Sequence, residues 1–193
     1  MRIALKSTAF FCCDIQCRFK KLIYGFDCVV GTAQKMIEAS KILNIPLIVT
    51  EQSPAKLEAT VPELDISSAA VFDAKTKFSM MTPNVVKFLK EKDLKTIVLF
   101  GIESHVCVAQ TSLDCLEMGI VPWIVADGVS SMDYGQVKIA LPRLSKAGAI
   151  ISSSDSIIFE LLRDANHPKF REISNLIKKT AAETTIALET LKL

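Results

Sequence analysis

The sequence predicts an α/β fold, a three-layer α/β/α sandwich built on a doubly wound, mostly parallel sheet. Short apolar runs of strand length alternate along the chain with segments of helical periodicity, which is typical of right-handed βαβ units. The first run has no polar alternation, as expected for a strand buried on both faces. Half of the 193 residues are apolar, enough for one sizeable core. We therefore expect one domain over residues 1–180, followed by a peripheral or intersubunit helix over residues 181–193.

The amino-terminal part of the chain contains two predicted strands joined by a helix. Residues 8–13 (TAFFCC) are the unbroken apolar run, and Asp14 follows at its carboxyl end. Apolar residues then recur at helical spacing over residues 28–43, a pattern that ends at Asn44. Residues 46–50 (PLIVT) are the second predicted strand.

The next segment, residues 51–82, contains prolines and no sustained period. We interpret it as a long loop of the kind that borders active sites, with at most a short strand near residues 69–72. Thr82 followed by Pro83 is typical of a helix start, an N-cap before proline at the first helical position. This pair predicts a helix that runs to about Glu91.

The alternation then repeats. Further strands are predicted over residues 96–100, 121–126 and 149–152, and further helices over residues 103–118, 135–146 and 155–164. Ligands of such sheets bind outside the carboxyl ends of the strands. We therefore expect the polar residues that follow the strands to gather at one edge, namely Asp14, Glu51, Gln52, the turn of residues 101–107 and Asp127.

Cys107 is the first candidate for chemistry because it lies where a predicted strand passes into a predicted helix. Unpaired N–H groups and the helix dipole stabilise a thiolate there, as a nucleophile requires. The alternative is a small buried hydrophobic residue, which is how we interpret Cys12 and Cys13 in the first strand and Cys115 in mid-helix. His105 would point away from Cys107 in a helical turn, so we expect it to line the pocket or to be exposed.

A cysteine nucleophile needs a base and an orienting cation. Asp14 is the candidate base because the apolar strand before it would partly remove it from water, although an aspartate at a strand end can also simply cap a turn. The candidate cation is Lys75 or Lys77 in the long loop, and their spacing does not choose between them.

Charge and motif content argue against several classes of partner. The net charge is only +2, from 23 basic and 21 acidic side chains, so no field strong enough to gather nucleic acid or an anionic membrane is implied. Two histidines without D-x-H-x-H or H-E-x-x-H predict no metal site, and the missing glycine-rich motifs predict no nucleotide cofactor. We expect a small-molecule substrate and no cofactor.

The six cysteines form no C-x-x-C pair, which favours a reduced compartment over a disulfide framework. A strand pattern begins at Thr8, so we expect neither a signal peptide nor a membrane span. The prediction is a cytoplasmic protein, with an organelle such as the mitochondrion as the alternative.

Several short motifs together resemble the isochorismatase-like cysteine hydrolase superfamily, and within it the isochorismatase domain-containing proteins of eukaryotes. In chain order they are D-I-Q-x-x-F from Asp14, T-E-Q-x-P from Thr50, T-V-P-E-L from Thr60, K-T-x-F-S from Lys75, G-I-E-x-x-x-C from Gly101 and D-A-x-H-P-x-F from Asp164. Each motif is short, but the ordered set spans residues 14–170.

The resemblance implies a Rossmann-like doubly wound fold, usually in a homo-oligomer, and a catalytic triad of Asp, Lys and Cys. By position these are Asp14, Lys75 and Cys107, which selects Lys75 over Lys77. It also implies a cis peptide bond between Ile102 and Glu103 that directs the N–H groups of Glu103 and Cys107 at an oxyanion. The substrate-binding residues that we expect around them are Gln16, Phe19, Glu51, Gln52 and Ser104.

Two positions depart from the family pattern. Ser104 stands where many family hydrolases have threonine, and residues 51–54 (EQSP) stand where the nicotinamidase branch has a D-x-H-x-H metal site. A metal-dependent nicotinamidase is therefore disfavoured. True isochorismatases cleave an enol ether without a thiol, so the retained Cys107 indicates cleavage of an amide or related acyl group.

The sequence thus predicts a metal-independent hydrolase of a small amide or related acyl substrate. One alternative is an inactive binding or scaffold protein on the same fold. Another is a ribonuclease, the activity assigned to some relatives, which the weak net charge and the lack of a basic stripe disfavour.

Overall fold

A computed structural model describes residues 2–191 of the chain and confirms the predicted α/β fold. Its strands are β1 (Thr8–Cys13), β2 (Leu47–Gln52), β3 (Ala69–Lys75), β4 (Thr96–Ile102), β5 (Val121–Ser130) and β6 (Ile150–Ser152). They form a six-stranded sheet in the order β3-β2-β1-β4-β5-β6. Every neighbouring pair is parallel.

Helices cover both faces of the sheet. They are α1 (Phe26–Leu43), α2 (Pro54–Leu57), α3 (Pro83–Glu91), α4 (Cys107–Glu117), α5 (Tyr134–Ala147), α6 (Ser154–Leu162), α7 (Phe170–Lys179) and α8 (Ala181–Thr190). Helices α1, α6 and α7 pack on one face, and α3, α4 and α5 pack on the other. The three layers of the predicted sandwich are therefore present.

The central strand β1 contributes to both cores because successive side chains of a strand point to opposite faces. Phe10 and Cys12 belong to the core beneath α1, whereas Phe11 and Cys13 belong to the core beneath α4. All six residues of β1 are buried. The uniform apolar run in the sequence is thus the consequence of packing on two sides.

Three boundaries differ from the prediction in ways that affect the site. Helix α4 begins at Cys107, so residues 103–106 form a turn that precedes the helix. Strand β5 continues to Ser130, with a register shift against β4. Strand β3 forms the sheet edge next to β2 and runs from Ala69 to Lys75, three residues beyond the short strand predicted near residues 69–72.

The predicted start of α3 illustrates local control. The hydroxyl of Thr82 accepts a hydrogen bond from Val85 N, and Pro83 opens α3, as predicted.

Residues 181–190 form helix α8, which packs beside α1 and β5, whereas residues 192 and 193 of the expected tail lie outside the described range. An intersubunit role for this helix stays a prediction.

None of the helices described within residues 2–191 combines the length and the apolar character that a membrane span requires.

Candidate active site

The sheet order has a topological switch point between β1 and β4. The chain moves outward from β1 through β2 to β3 and then returns to place β4 on the other side of β1. At such a switch point the connections leave the sheet in opposite directions, and ligands of α/β proteins bind there. Asp14 follows β1, and the turn that leads to Cys107 follows β4. Their meeting is therefore a result of topology.

The carboxylate of Asp14 is buried, with 1% of the residue exposed. Its Oδ1 accepts a hydrogen bond of 2.8 Å from Thr50 Oγ1. Its Oδ2 accepts one of 2.7 Å from Lys75 Nζ and a longer contact of 3.6 Å from Cys13 Sγ. Asp14 also has a positive φ of 50°, so the chain turns sharply as it leaves β1.

Lys75 is the last residue of β3, and its ammonium group is fully hydrogen-bonded. Nζ donates to Asp14 Oδ2 at 2.7 Å, to Gln52 Oε1 at 2.8 Å and to Phe78 O at 2.9 Å. Burial opposes the charge of this lysine, but the neighbouring Cys13, Asp14 and Cys107 side chains prevail and raise the pKa of Lys75 above its ordinary 10.5. The lysine is therefore a cation throughout the neutral pH range.

Lys77, the alternative cation, lies elsewhere. Its Nζ pairs with Asp114 Oδ2 at 2.7 Å on the surface, where 60% of its side chain is exposed. Geometry thus places Lys75, and not Lys77, at Asp14.

Cys107 is the first residue of α4 and is 7% exposed. Its Sγ, the Cys13 Sγ and an Asp14 carboxylate oxygen all lie within 4.8 Å of one another. Its N–H is among the first of the helix, which have no acceptor within the helix itself. The structure therefore brings together the three side chains that sequence reasoning singled out, a carboxylate, an ammonium and a thiol.

Cys13 is the site residue that sequence reasoning missed. It is buried in β1, as expected of strand core, but its thiol faces Cys107 and also donates to Ile102 O at 3.3 Å. Burial, then the neighbouring Cys107 thiol and the negative field of Asp14, raise the pKa of Cys13 well above the ordinary 9.0. The sequence shows only that Cys13 and Cys12 point to opposite faces of β1. That Cys13 is the one near Cys107 follows only once the pairing of β1 with β4 is known.

The turn between β4 and α4 is shaped by close backbone contacts. Gly101 has φ of +120°, and a Cβ added there would lie 2.1 Å from Cys13 O. The peptide bond between Ile102 and Glu103 is cis. Ser104 N and Oγ both donate to Ser130 O, at 2.8 and 3.1 Å. These contacts tie the turn to β1 on one side and to β5 on the other.

The expected substrate-binding residues largely serve the loop after β2. Gln16 donates to Gln52 O at 3.1 Å and Glu58 O at 2.6 Å, and accepts from Gln52 N at 2.8 Å. Glu51 Oε1 accepts from the N–H and hydroxyl of Thr60, at 2.6 and 2.9 Å. These groups join the loop after β2 to the end of that strand, where Gln52 bonds Lys75, and their contact with a substrate stays a prediction.

Other expected residues lie at the margin. Phe19 ends a short 3-10 turn and packs against the core beneath α1. The carboxylate of Glu103 accepts from Met132 N at 2.9 Å. His105 is half-buried, and its Nδ1 lies 3.0 Å from Ser131 Oγ. His105 therefore contacts the loop that follows β5 and not the Cys107 thiol.

The expectation that Asp127 joins this edge is wrong. Asp127 lies inside β5, which extends to Ser130, beyond the predicted end at Ala126. Its carboxylate accepts from the N–H of Ser154 at 2.7 Å and from the Ser154 hydroxyl. It therefore stabilises the start of α6 and does not reach the thiol cluster.

Comparison with known proteins gives a consistent assignment. Residues 8–156 match the family model described as Isochorismatase domain. The chain is 42% identical over 179 residues to isochorismatase domain-containing protein 1 of Danio rerio, covering 92% of this chain but only 63% of that protein. It is 39% identical over 184 residues to isochorismatase domain-containing protein 2 of Xenopus laevis, covering 95% of this chain and 89% of that one.

A solved structure is also similar. The protein described as MAR1 ribonuclease from Caenorhabditis elegans matches with a TM-score of 0.87 and 40% sequence identity, over 92% of this chain and 93% of that one.

Proposed function

This chain belongs to the isochorismatase family, and on that premise we propose that it is a metal-independent hydrolase of a small amide or related acyl substrate. The observation that carries the proposal is the buried cluster at the switch point. In it the Cys107 sulfur lies within 4.8 Å of a carboxylate oxygen of Asp14, and Asp14 forms an ion pair with Lys75. A thiol, a proton acceptor and a fixed cation are the parts that acyl transfer by cysteine requires.

The first step is proton transfer. Asp14 accepts the thiol proton of Cys107, since one of its carboxylate oxygens lies within 4.8 Å of the sulfur. Lys75 stays charged and balances the thiolate while Asp14 is neutral, so the buried cluster keeps the same net charge before and after the transfer. This balance avoids the cost of an unpaired buried charge.

The second step is acyl transfer. The Cys107 thiolate attacks the carbonyl carbon, and the developing oxyanion is held by N–H groups of the turn, those of Glu103 and Cys107. The carbon–nitrogen bond then breaks, and Asp14 returns its proton to the leaving amine. Water attacks the resulting thioester, Asp14 accepts a proton from that water, and the acid product leaves with the thiol restored.

The burial of the two reacting residues supports a small substrate. Cys107 is 7% exposed and Asp14 is 1% exposed, so little of either residue is presented to a large ligand.

The test is an amidase panel of small aliphatic and aromatic carboxamides. We expect ammonia release by the wild type, a fall of at least about a hundredfold in Cys107→Ala, and wild-type rates in Cys115→Ala. Cys115 is the matched control because it is a buried thiol of the same helix. Equal turnover in wild type and Cys107→Ala would contradict the proposal, and no turnover in either would favour a binding or scaffold protein.

A ribonuclease is the second candidate function, because the similar protein of Caenorhabditis elegans carries that description. Its test is cleavage of a labelled single-stranded RNA by chain purified to remove contaminating nuclease. Cleavage that persists in Cys107→Ala would establish an activity independent of the thiol and would displace the amidase proposal.

Two further expectations stay predictions. Assembly into a homo-oligomer would cover exposed apolar side chains such as Ile139, which is 67% exposed on α5. A cytoplasmic location agrees with six free cysteine thiols but is not tested by them.

A further inference from the structure

The Cys13, Asp14 and Cys107 cluster has a property that the proposed hydrolysis does not use. Two thiols and a carboxylate present ligand atoms that all lie within 4.8 Å of one another, and all three residues are buried. We propose that these three side chains form an inhibitory binding site for a thiophilic divalent cation of the Zn²⁺ class, which blocks the Cys107 nucleophile.

The spacing fits a tetrahedral ion. Zn–S bonds of about 2.3 Å and Zn–O bonds of about 2.0 to 2.2 Å place neighbouring ligand atoms about 3.3 to 3.8 Å apart. The Cys13 Sγ to Asp14 Oδ2 separation is already 3.6 Å. The remaining separations, at most 4.8 Å, require a contraction of about 1 Å, within reach of a side-chain rotation of Cys107.

The three ligands are held by elements that already contact each other. Cys13 and Asp14 are consecutive at the end of β1, and Cys13 pairs in register with Gly101 at the start of the turn to Cys107. Cys107 then opens α4. Three protein ligands leave a fourth tetrahedral position for water or another small ligand.

The charges also balance. Two thiolates and one carboxylate carry three negative charges, and the cation with the Lys75 ammonium carries three positive charges. Lys75 need not leave, because Asp14 Oδ2 accepts one hydrogen bond from it and a carboxylate oxygen has a second lone pair. A neutral, fully ligated cluster is a favourable way to bury these groups. Mg²⁺ and Ca²⁺ prefer oxygen ligands only, so the site discriminates against them.

Binding is a proton exchange without oxidation or reduction. One cation displaces one proton from each of the two thiols, forming two metal–sulfur bonds and releasing two protons. Once its sulfur is bound to the metal, the negative charge of Cys107 is neutralised by the cation, and the sulfur is a much weaker nucleophile towards a carbonyl carbon. The cation is therefore an inhibitor of the proposed chemistry and takes no part in it.

The test uses Co²⁺ as a spectroscopic probe and full-length chain kept reduced with a phosphine. We expect one Co²⁺ per chain and the near-ultraviolet thiolate-to-cobalt charge-transfer band in the wild type. Cys13→Ser should lose most of that band and bind Zn²⁺ at least about tenfold more weakly. Cys12→Ser is the matched control, since Cys12 is adjacent and equally buried but faces the opposite core, and it should behave as wild type.

Cys13→Ala provides a second variant, and circular dichroism establishes that each variant is folded. Wild-type cobalt absorption and Zn²⁺ affinity in folded Cys13→Ser or Cys13→Ala would overturn the proposal. So would a band that depends on Cys17 or Cys28, the thiols outside the cluster that are only half-buried.

A second measurement follows Cys107 directly. Stoichiometric Zn²⁺ should protect Cys107 from iodoacetamide, chelation should restore labelling, and Mg²⁺ should have no effect. Labelling of Cys107 at the same rate with and without bound Zn²⁺ would overturn the inference. Both readouts report ligation, so they give an answer whether or not the chain hydrolyses an amide.

Discussion

Lys75 Nζ lies 2.7 Å from Asp14 Oδ2, and the two side chains are 2% and 1% exposed. The pair joins the carboxyl ends of β3 and β1 across the intervening strand β2. Taking two charges out of water is costly, and it is tolerated where each finds an opposite charge and further hydrogen bonds. Thr50 supplies one such bond to Asp14, and Gln52 and Phe78 supply two to Lys75.

Removal of one partner should therefore be strongly destabilising. We expect Lys75→Met to lower the free energy of unfolding by about 3 to 5 kcal/mol, because it leaves the Asp14 carboxylate buried without its cation. The matched control is Lys77→Met, which breaks an exposed pair and should cost under about 1 kcal/mol. Urea denaturation measures the free energy of unfolding of both variants. Equal losses would show that the buried pair stabilises the fold no more than the exposed pair does. The double variant Asp14→Asn with Lys75→Met should recover part of the loss.

Asp14 should also control the reactivity of Cys107. We expect Asp14→Asn to slow alkylation of Cys107 by iodoacetamide at neutral pH by at least about tenfold, because the amide does not accept the thiol proton. Asp114→Asn is the control. It removes a carboxylate from α4, the helix that begins at Cys107, but this carboxylate pairs with Lys77 on the surface. Peptide mass spectrometry over time gives the rates. An unchanged rate in Asp14→Asn would remove Asp14 from the role of base.

Gly101 should not tolerate a side chain. A Cβ at this position would lie 2.1 Å from Cys13 O, and its φ of +120° is unfavourable for other residues. We expect Gly101→Ala to lower the free energy of unfolding by about 3 kcal/mol or more. Gly31→Ala, in helix α1 with open space around the added Cβ, should instead raise it by about 0.5 to 1 kcal/mol. Urea denaturation of both variants tests the contrast, and similar effects would contradict the close approach of β4 to β1.

Stability should fall in alkaline solution because of the buried thiols. Burial is the first cause that raises the pKa of Cys12, Cys13 and Cys115 above the ordinary 9.0. A raised folded-state pKa contributes stability that is complete below the unfolded value and is lost as pH rises above it. Each thiol should therefore lower the free energy of unfolding by about 1.4 kcal/mol per pH unit above about pH 9.

Comparison of Cys115→Ala with wild type isolates one of these thiols. Urea denaturation at a series of pH values from neutral to about pH 10.5 should give a shallower alkaline decline in the variant. If the free energy of unfolding fell equally with pH in the variant and the wild type, the pKa of the Cys115 thiol would not be raised in the folded protein.

The sequence predicts the central elements well because packing there is simple. Strand β1 is apolar from Ala9 to Cys13 since it is buried on two sides, and Thr82 with Pro83 marks the start of α3 by local chemistry. The sequence predicts only the first four residues of strand β3, because it is an edge strand whose residues mostly alternate between half-buried and exposed. Helix α7 is amphipathic and mostly polar, so its pattern did not stand out from the preceding loop.

The residues of the candidate active site also divide into those that a local pattern predicts and those that depend on long-range strand pairing. Asp14 and Cys107 follow strands directly, so the rule for parallel sheets places them together. The choice of Lys75 over Lys77 depends on the position at which β3 ends, and resemblance alone supplied it. The position of Cys13 beside Cys107 depends on the register between β1 and β4, and the placement of Asp127 depends on the length of β5. Long-range pairing of this kind has no local signal in the chain.

The central place of β1 has a consequence for synthesis on the ribosome. Residues up to Lys75 can form β1, β2 and β3, but the second edge of β1 has no partner until Thr96–Ile102 has emerged. Until then the nascent chain presents an unpaired strand that is apolar from Ala9 to Cys13, the kind of edge that pairs with other chains. The interval between translation of β3 and of β4 is thus the period in which this edge is exposed to such pairing.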